Sequence, residues 1–316
     1  MSFPATLFGA EKDVYETGTF QQYPIGQKLV TPDGSIFRYV EMGATLGVAN
    51  NLYQAEVPTT NWVKQDLATT AMAVGDSTIT FTPGATAIAA DELAGGTILV
   101  ESAADLGHIY RIKSNTVSAG SAACILTLEN GVTVKVAVAT GATHDLTALK
   151  NPWKDIIIHP SPATSIVVGI PRVVIAANAY GWVCTRGPAS CLINGVPVIN
   201  EPVVPSNAVD GSVGAKRKSG TGTIANAETT EVVTHNLGST PTLDNINFVF
   251  GEDSTTAISA WWVDTLTATQ FTININDPGA SGQDLAWTVE VNYEPVGVAL
   301  RVPSSADFGV IFLTLE

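Results

Sequence analysis

The side chains able to do chemistry are few and scattered. Four histidines, His108, His144, His159 and His235, lie far apart, and none has a second His or Cys at a zinc-ligand spacing. They read as surface or structural groups. Cys124, Cys184 and Cys191 are too few for a disulfide framework; small buried hydrophobes in a reducing cytosol are the simpler reading, and Cys184 could bridge Cys191 only from a facing strand. Ser212 lacks a nucleophile elbow, because Asp210 stands where G-x-S-x-G needs its first glycine. Lys218-Ser219 resembles the end of a phosphate loop, but Arg217 occupies the glycine position. Gly220, Gly222 and Ala225 give a G-x-G-x-x-A with no helix after it. Asp277 and Asp284 bracket a Gly-rich loop that could hold Ca²⁺, although a plain hairpin loop suffices. Glu252-Asp253 reads as the acidic tip of a turn, and no pair of carboxylates can be placed together from spacing alone. The expectation is therefore no catalytic residue, no metal and no cofactor.

Aromatic residues carry more. Trp261-Trp262 falls within a candidate strand, so the two rings should point to opposite faces, one into a core and one outward. An outward Trp can stack on a sugar or a partner protein, or lie beneath a subunit contact or loop. At the other end, residues 1–26 carry Phe3, Leu7, Phe8, Tyr15 and Tyr23 between polar residues with no helical period. Such a segment should be an extended arm that docks on its own core or on a neighbouring subunit.

The elements that must hold these residues are short strands and turns. The stretch from residue 165 to 214 is apolar, with Arg172, Arg186, Glu201 and Asp210 as its only charged side chains. It reads as three or four short strands, interrupted at Asn178, Gly181 and Gly187-Pro188, with a hairpin at Asn194-Gly195 that returns residues 196–199. A second Asn-Gly hairpin is expected at Asn130-Gly131, between residues 123–129 and 132–138. Pro32-Asp33-Gly34 sets a turn before an alternating run at 35–40. Residues 76–82, 97–101, 108–113 and 156–159 read as strands, 61–71 as a short helix, and 88–93 as a turn or short helix. After a Gly/Ser/Lys linker at 215–223, five strands are expected at 231–234, 246–250, 257–263, 270–275 and 286–293, the regular spacing of a β-sandwich or barrel. A last strand at 310–315 could join its own sheet or a partner's.

Composition supports this reading. Hydrophobic residues make up 45% and charged ones only 14%, against about 25% charged in ordinary globular chains. The net charge of −14 disfavours nucleic acid and an anionic membrane surface as partners. The basic cluster Lys216-Arg217-Lys218 is short and set among Gly and Ser, as a solvated linker would be. The first residues lack the basic and apolar regions of a signal peptide, and no run approaches a membrane span.

Several phrases carry a resemblance. GDSTITF at 75–81, AGGTILV at 94–100, GHIYRIKSN at 107–115, NPW at 151–153, YGWV at 180–183 and VPSNAVDGSVG at 204–214 resemble head decoration, or cement, proteins of tailed bacteriophages. FPATLFG at 3–9 and PDGSIFRY at 32–39 fit the same group. THNLGSTP at 234–241 and FTINI at 271–275 resemble β-sandwich modules of phage fibres and head projections. The resemblance implies an all-β chain: an arm (1–26), a β-barrel or β-tulip-like capsid-binding domain (27–214), a linker (215–223), a projecting β-sandwich (224–298) and a tail strand (299–316). It implies no enzymatic activity. It implies a virion protein made in the host cytoplasm and placed on the outer capsid surface, with the major capsid protein and other copies of itself, as a homotrimer, for partners. On this reading Phe3, Leu7, Phe8, Tyr15 and Tyr23 make the partner contacts. The alternative is a tail-fibre or receptor-binding module in which Trp261 or Trp262 touches glycan. A third class, a secreted hydrolase, lacks both the export signal and the nucleophile motif.

Overall fold

Inward and outward residues alternate along the second half of Tyr180–Ile193, where Gly187, Ala189, Cys191 and Ile193 are buried between more open neighbours. In the computed structural model this segment is one strand of 14 residues, not two short ones. The structure describes residues 4–65, 70–101, 106–139, 145–251, 258, 260–276, 282–303 and 307–316. The strand runs on through Gly187-Pro188 because Gly187 takes a φ of +109°. A Cβ there would lie 2.4 Å from Ser35 Oγ, so glycine is required both by conformation and by space. A proline is tolerated where its missing N–H removes no needed ladder bond.

The chain is all-β; its only helices among the described residues are three short 3-10 turns, Glu11–Tyr15, Thr60–Trp62 and Leu243–Asn245. It divides into two compact units. The first comprises Met1–Gln21, Lys28–Gln54 and Ile157–Glu316, and the second Gln22–Gln27 and Ala55–Ile156. The stretch expected as one domain from 27 to 214 is thus shared between two units.

In the first unit the long strand organises everything else. Its first half pairs antiparallel with Ile36–Glu41, from Tyr180↔Glu41 to Arg186↔Ile36, and carries Trp182 edge-on to Tyr39 at 5.0 Å. Its second half pairs antiparallel with Asp307–Thr314 over eight residues, from Arg186↔Thr314 to Ile193↔Asp307. Ser212–Ala215 joins it in parallel, then Pro202–Pro205 and Gly297–Arg301 follow, and Gly297–Arg301 pairs back with Asp307–Thr314. The five strands close a barrel. The tail strand therefore belongs to its own sheet. Its end is pinned: Arg38 donates to both carboxylate oxygens of Glu316, at 2.6 and 2.9 Å, and Lys28 Nζ lies 3.1 Å from Oε2.

The arm also docks on its own chain. Thr6–Phe8 adds in parallel to Lys28–Val30, Val14 is buried, and Gly18 bridges Tyr180. The Pro32-Asp33-Gly34 turn is present, with Gly34 at φ +81° and Asp33 accepting from Thr31 Oγ1 at 2.6 Å and Ser35 Oγ at 2.7 Å. These donors, Thr31 first, hold the Asp33 carboxyl down to about 2.

Neither Asn-Gly pair makes the expected hairpin. A two-residue I′ turn needs positive φ at both positions; here Gly195 and Gly131 have it and the asparagines do not. Residues 196–199 form no strand, and Val196, Val198 and Ile199 are exposed. Residues 132–138 run back against 72–76 instead, through Gly75 N–H to Val134 O and Val134 N–H to Asp76 O. Residues 173–175 are likewise irregular.

Two three-stranded sheets make the β-sandwich. Arg217–Ile224, Gln283–Glu290 and Ile246–Phe250 form one, and Thr230–Thr234, Gln270–Ile275 and Trp261–Asp264 the other. Phe271, Ile273, Leu285, Trp287 and Val289 fill the space between them. The expected linker is the strand Arg217–Ile224, with eight register pairs to Gln283–Glu290. Its small residues fit the bulky partner: a Cβ at Gly220 would lie 2.7 Å from Trp287 Cζ2. The sandwich is fastened to the barrel by Asn194 Nδ2 and Ser206 Oγ, which both donate to Gly238 O at 2.7 and 2.6 Å. Asn207 exchanges two further bonds with Thr240.

In the second unit one antiparallel sheet runs in the order Thr78–Phe81, Cys124–Leu128, Ile109–Asn115, Thr97–Val100, Leu146–Leu149. Trp62, Phe81, Ile98, Ile112 and Leu126 are buried in its core. The helix expected at 61–71 is reduced to the 3-10 turn Thr60–Trp62, and 66–69 lie outside the described residues.

The barrel-closing strand gives a test. Leu313 is fully buried and Phe308, on the same strand, is 42% exposed. Leu313→Ala should cost about 3 kcal/mol in denaturant unfolding, and Phe308→Ala under about 1 kcal/mol. Equal costs would mean that the strand does not close the barrel with this register.

Candidate functional site

The arm brings some of its aromatic residues to the surface and buries others. Leu7 and Tyr23 are half-buried, Tyr15 is 47% exposed and Phe8 is 84% exposed. Phe3 lies outside the described residues. Phe20, which was not singled out, is 82% exposed; its signal was isolation among Thr19, Gln21 and Gln22, with no apolar neighbour to share a core. Phe8 borders a depression of about 360 Å³ lined also by Gly9, Ala10, Asp13, Val30 and Pro32. The 3-10 turn of the arm is clamped to the long strand by Arg172. One guanidinium nitrogen meets Glu11 Oε1 at 3.4 Å, the other donates to Pro188 O at 3.2 Å, and the group lies 4.9 Å from the Phe37 ring centroid.

Neither ring of the Trp261-Trp262 pair is fully buried: they are 57% and 50% exposed. The rings do point opposite ways. Trp261 pairs with Ile275 on the core side and packs edge-on against Phe248, at 4.9 Å. It stays open because Trp261–Asp264 and Ile246–Phe250 are the edge strands of their sheets. Trp262 pairs with Asn274 on the outer face.

The described histidines and the cysteines are placed apart from one another. His108 is exposed and stacks on Tyr110, while His144 lies outside the described residues. His159 and His235 are buried, and no hydrogen-bond partner meets either ring nitrogen of His159 or Nε2 of His235. His235 Nδ1 accepts the Leu237 N–H at 3.1 Å, so the ring is the neutral tautomer, and it stacks on Phe271. Burial pushes His235 down to about 4 and moves His159 in the same direction. Cys184 and Cys191 sit seven positions apart on one strand, which rules out a bond between them. All three thiols are free and buried, and burial raises Cys184 to about 11. Ser212 is buried in a strand and donates to Val209 O. Lys218 of the basic cluster is paired with Glu201 at 2.7 Å. Asp284 accepts from Thr223 Oγ1 at 2.7 Å, whereas Asp277, Glu252 and Asp253 lie outside the described residues.

One group of carboxylates does come together. Lys150 Nζ lies 2.6 Å from Glu56, 2.9 Å from Glu92 and 3.0 Å from Asp155, and 5.6 Å from the Trp62 ring centroid. These residues come from three stretches, at Glu56, Glu92 and 150–155, so only the fold could reveal the cluster. Burial alone would lower the lysine's pKa; the Glu56, Glu92 and Asp155 carboxylates overcome it and raise the pKa well above its usual value. The ammonium fills the centre of the group, which makes it a structural knot of the second unit. Among the described residues no three His, Cys, Asp or Glu side chains form a metal-ligating set, and no helix is long and apolar enough to cross a membrane.

Two outcomes follow. Lys150→Met leaves three facing carboxylates and should lower the stability of the second unit by about 2–4 kcal/mol, read as faster amide exchange in Thr97–Val100; unchanged exchange would show that the cluster carries no net stabilisation. For His235, both folded and unfolded states are neutral above pH 6.5. Between about 6.5 and 4 the unfolded chain takes up a proton that the folded one does not, so stability falls as pH falls, by up to about 1.4 kcal/mol per unit. In His235→Asn, denaturant unfolding at pH 7.5, 6 and 5 should show a shallower pH slope than the native chain; an identical slope would mean that the buried ring is not neutral.

Compared with known proteins, the chain matches no family model, no curated protein and no solved structure.

Proposed function

We propose that this chain is a structural virion protein that binds the outer surface of a tailed-phage capsid and braces it, acting through its arm. The observation that carries this reading is the arm itself. It is secured to its own sheet by parallel pairing with Lys28–Val30, a buried Val14 and the Arg172 clamp, yet it presents Phe8 and Phe20 almost fully to solvent. An arm ordered in advance loses little conformational freedom when its rings are covered, which favours a surface built for docking. A shell repeats the same contact many times, and copies joined to one another as a homotrimer would add avidity to weak single contacts. The sparse charge of the chain suits broad protein–protein contact, in which aromatic residues supply most of the energy.

The test is co-sedimentation with shells assembled from the major capsid protein alone. The native chain should pellet with shells to a fixed stoichiometry. Phe8→Ser/Phe20→Ser should keep the native circular dichroism spectrum and lose at least about tenfold in affinity, or about 1.4 kcal/mol. Failure of the native chain to pellet overturns the shell-binding reading. Unchanged binding of the double variant overturns the role of the arm.

A further inference from the structure

The outer face of the sheet Thr230–Thr234, Gln270–Ile275, Trp261–Asp264 combines features that neither the core nor the arm uses. Trp262 stands on it half exposed. Its register partner on the central strand is Asn274, which in turn pairs with Thr230 on the far strand. One step along, Asp264, Thr272 and Val232 form the next row. Apart from Trp262 and Val232 the face is hydroxyl, carboxamide and carboxylate. Asn274 is 7% exposed, and its Nδ2 is buried with no hydrogen-bond partner. An amide donor withdrawn from water and left unsatisfied is rare in a finished structure and marks a place where another acceptor is due. Directly opposed residues on paired strands have Cβ atoms about 5 Å apart, so Asn274 and Trp262 are immediate neighbours on this face.

We propose that this face binds a neutral carbohydrate. The indole of Trp262 takes the apolar C–H face of a hexopyranose ring. Asn274 donates to a ring hydroxyl once the indole shifts onto the sugar, and Asp264 accepts from another. A flat aromatic surface flanked by one donor and one carboxylate matches a sugar, whose ring is apolar on its faces and hydroxylated around its rim. The acidic balance of the chain, −14, selects against anionic saccharides. This site is separate from the arm and stands or falls independently of shell binding.

The experiment uses the full chain and three neutral probes: maltohexaose, cellohexaose and a β-1,4-galactohexaose. With the tryptophan indoles labelled with ¹⁵N, the resonance missing in Trp262→Phe identifies Trp262. At least one probe should shift that resonance saturably, with a dissociation constant at or below ~1 mM. By titration calorimetry Trp262→Ala should weaken binding at least about tenfold and Asn274→Ala about threefold, while Trp261→Ala binds as the native chain does. No shift with any probe at ~10 mM, or binding that survives in Trp262→Ala, overturns the proposal.

Discussion

The fold depends on one strand continuing past a point where strands usually stop. Tyr180–Ile193 passes through Gly187-Pro188 without breaking, because Gly187 takes a conformation open to glycine and Ser35 leaves no room for anything larger. Had the strand ended there, Ile36–Glu41 and the barrel would be separate sheets. Because it continues, the hairpin at 28–41, the arm that extends the hairpin, and the barrel closed by Asp307–Thr314 share one hydrogen-bonded ladder. The exposed rings of the arm are thereby held by the same framework as the barrel, which is what gives the docking proposal its physical basis.

The sandwich is tied to this framework by polar contacts. Gly238 O accepts from both Asn194 and Ser206, and Asn207 pairs with Thr240 through both ends of its carboxamide. Such bonds stabilise only modestly each, but leaving any one unmade would strand a buried polar group. They also explain why a chain so poor in charge uses asparagine and serine at its junctions. These groups satisfy backbone carbonyls without the desolvation cost of an ion.

How much could be read beforehand follows from where each signal resides. Four of the sandwich strands, Thr230–Thr234, Ile246–Phe250, Gln270–Ile275 and Gln283–Glu290, announce themselves by alternation, because one face of each meets a core. Arg217–Ile224 does not. Its Lys, Ser, Gly and Thr residues contribute little apolar burial, and its place is set by backbone pairing and by the bulk of Trp287, both supplied from elsewhere. Asn194-Gly195 misleads for a related reason: the asparagine side chain is committed to Gly238, 44 residues away, and not to a local turn. The exposure of Phe8 was hidden because arm residues alternate against a neighbour whose register is fixed only in the fold. Trp262 was visible as an aromatic residue, but its pairing with Asn274 depends on strand register, which no short stretch of sequence encodes.

The sandwich occupies residues that lie between two barrel strands, Ser212–Ala215 and Gly297–Arg301, so the chain crosses the junction twice. The two crossings lie side by side: Lys216 N–H donates to Pro202 O, and Val291 N–H donates to Lys216 O. A module hung from a single linker swings, and a pull on it is borne by one length of chain. Here the outgoing and returning strands are bonded to each other and to the barrel, so a load on the sandwich is divided between two anchored strands that must shear together. The attachment is a clevis and not a tether.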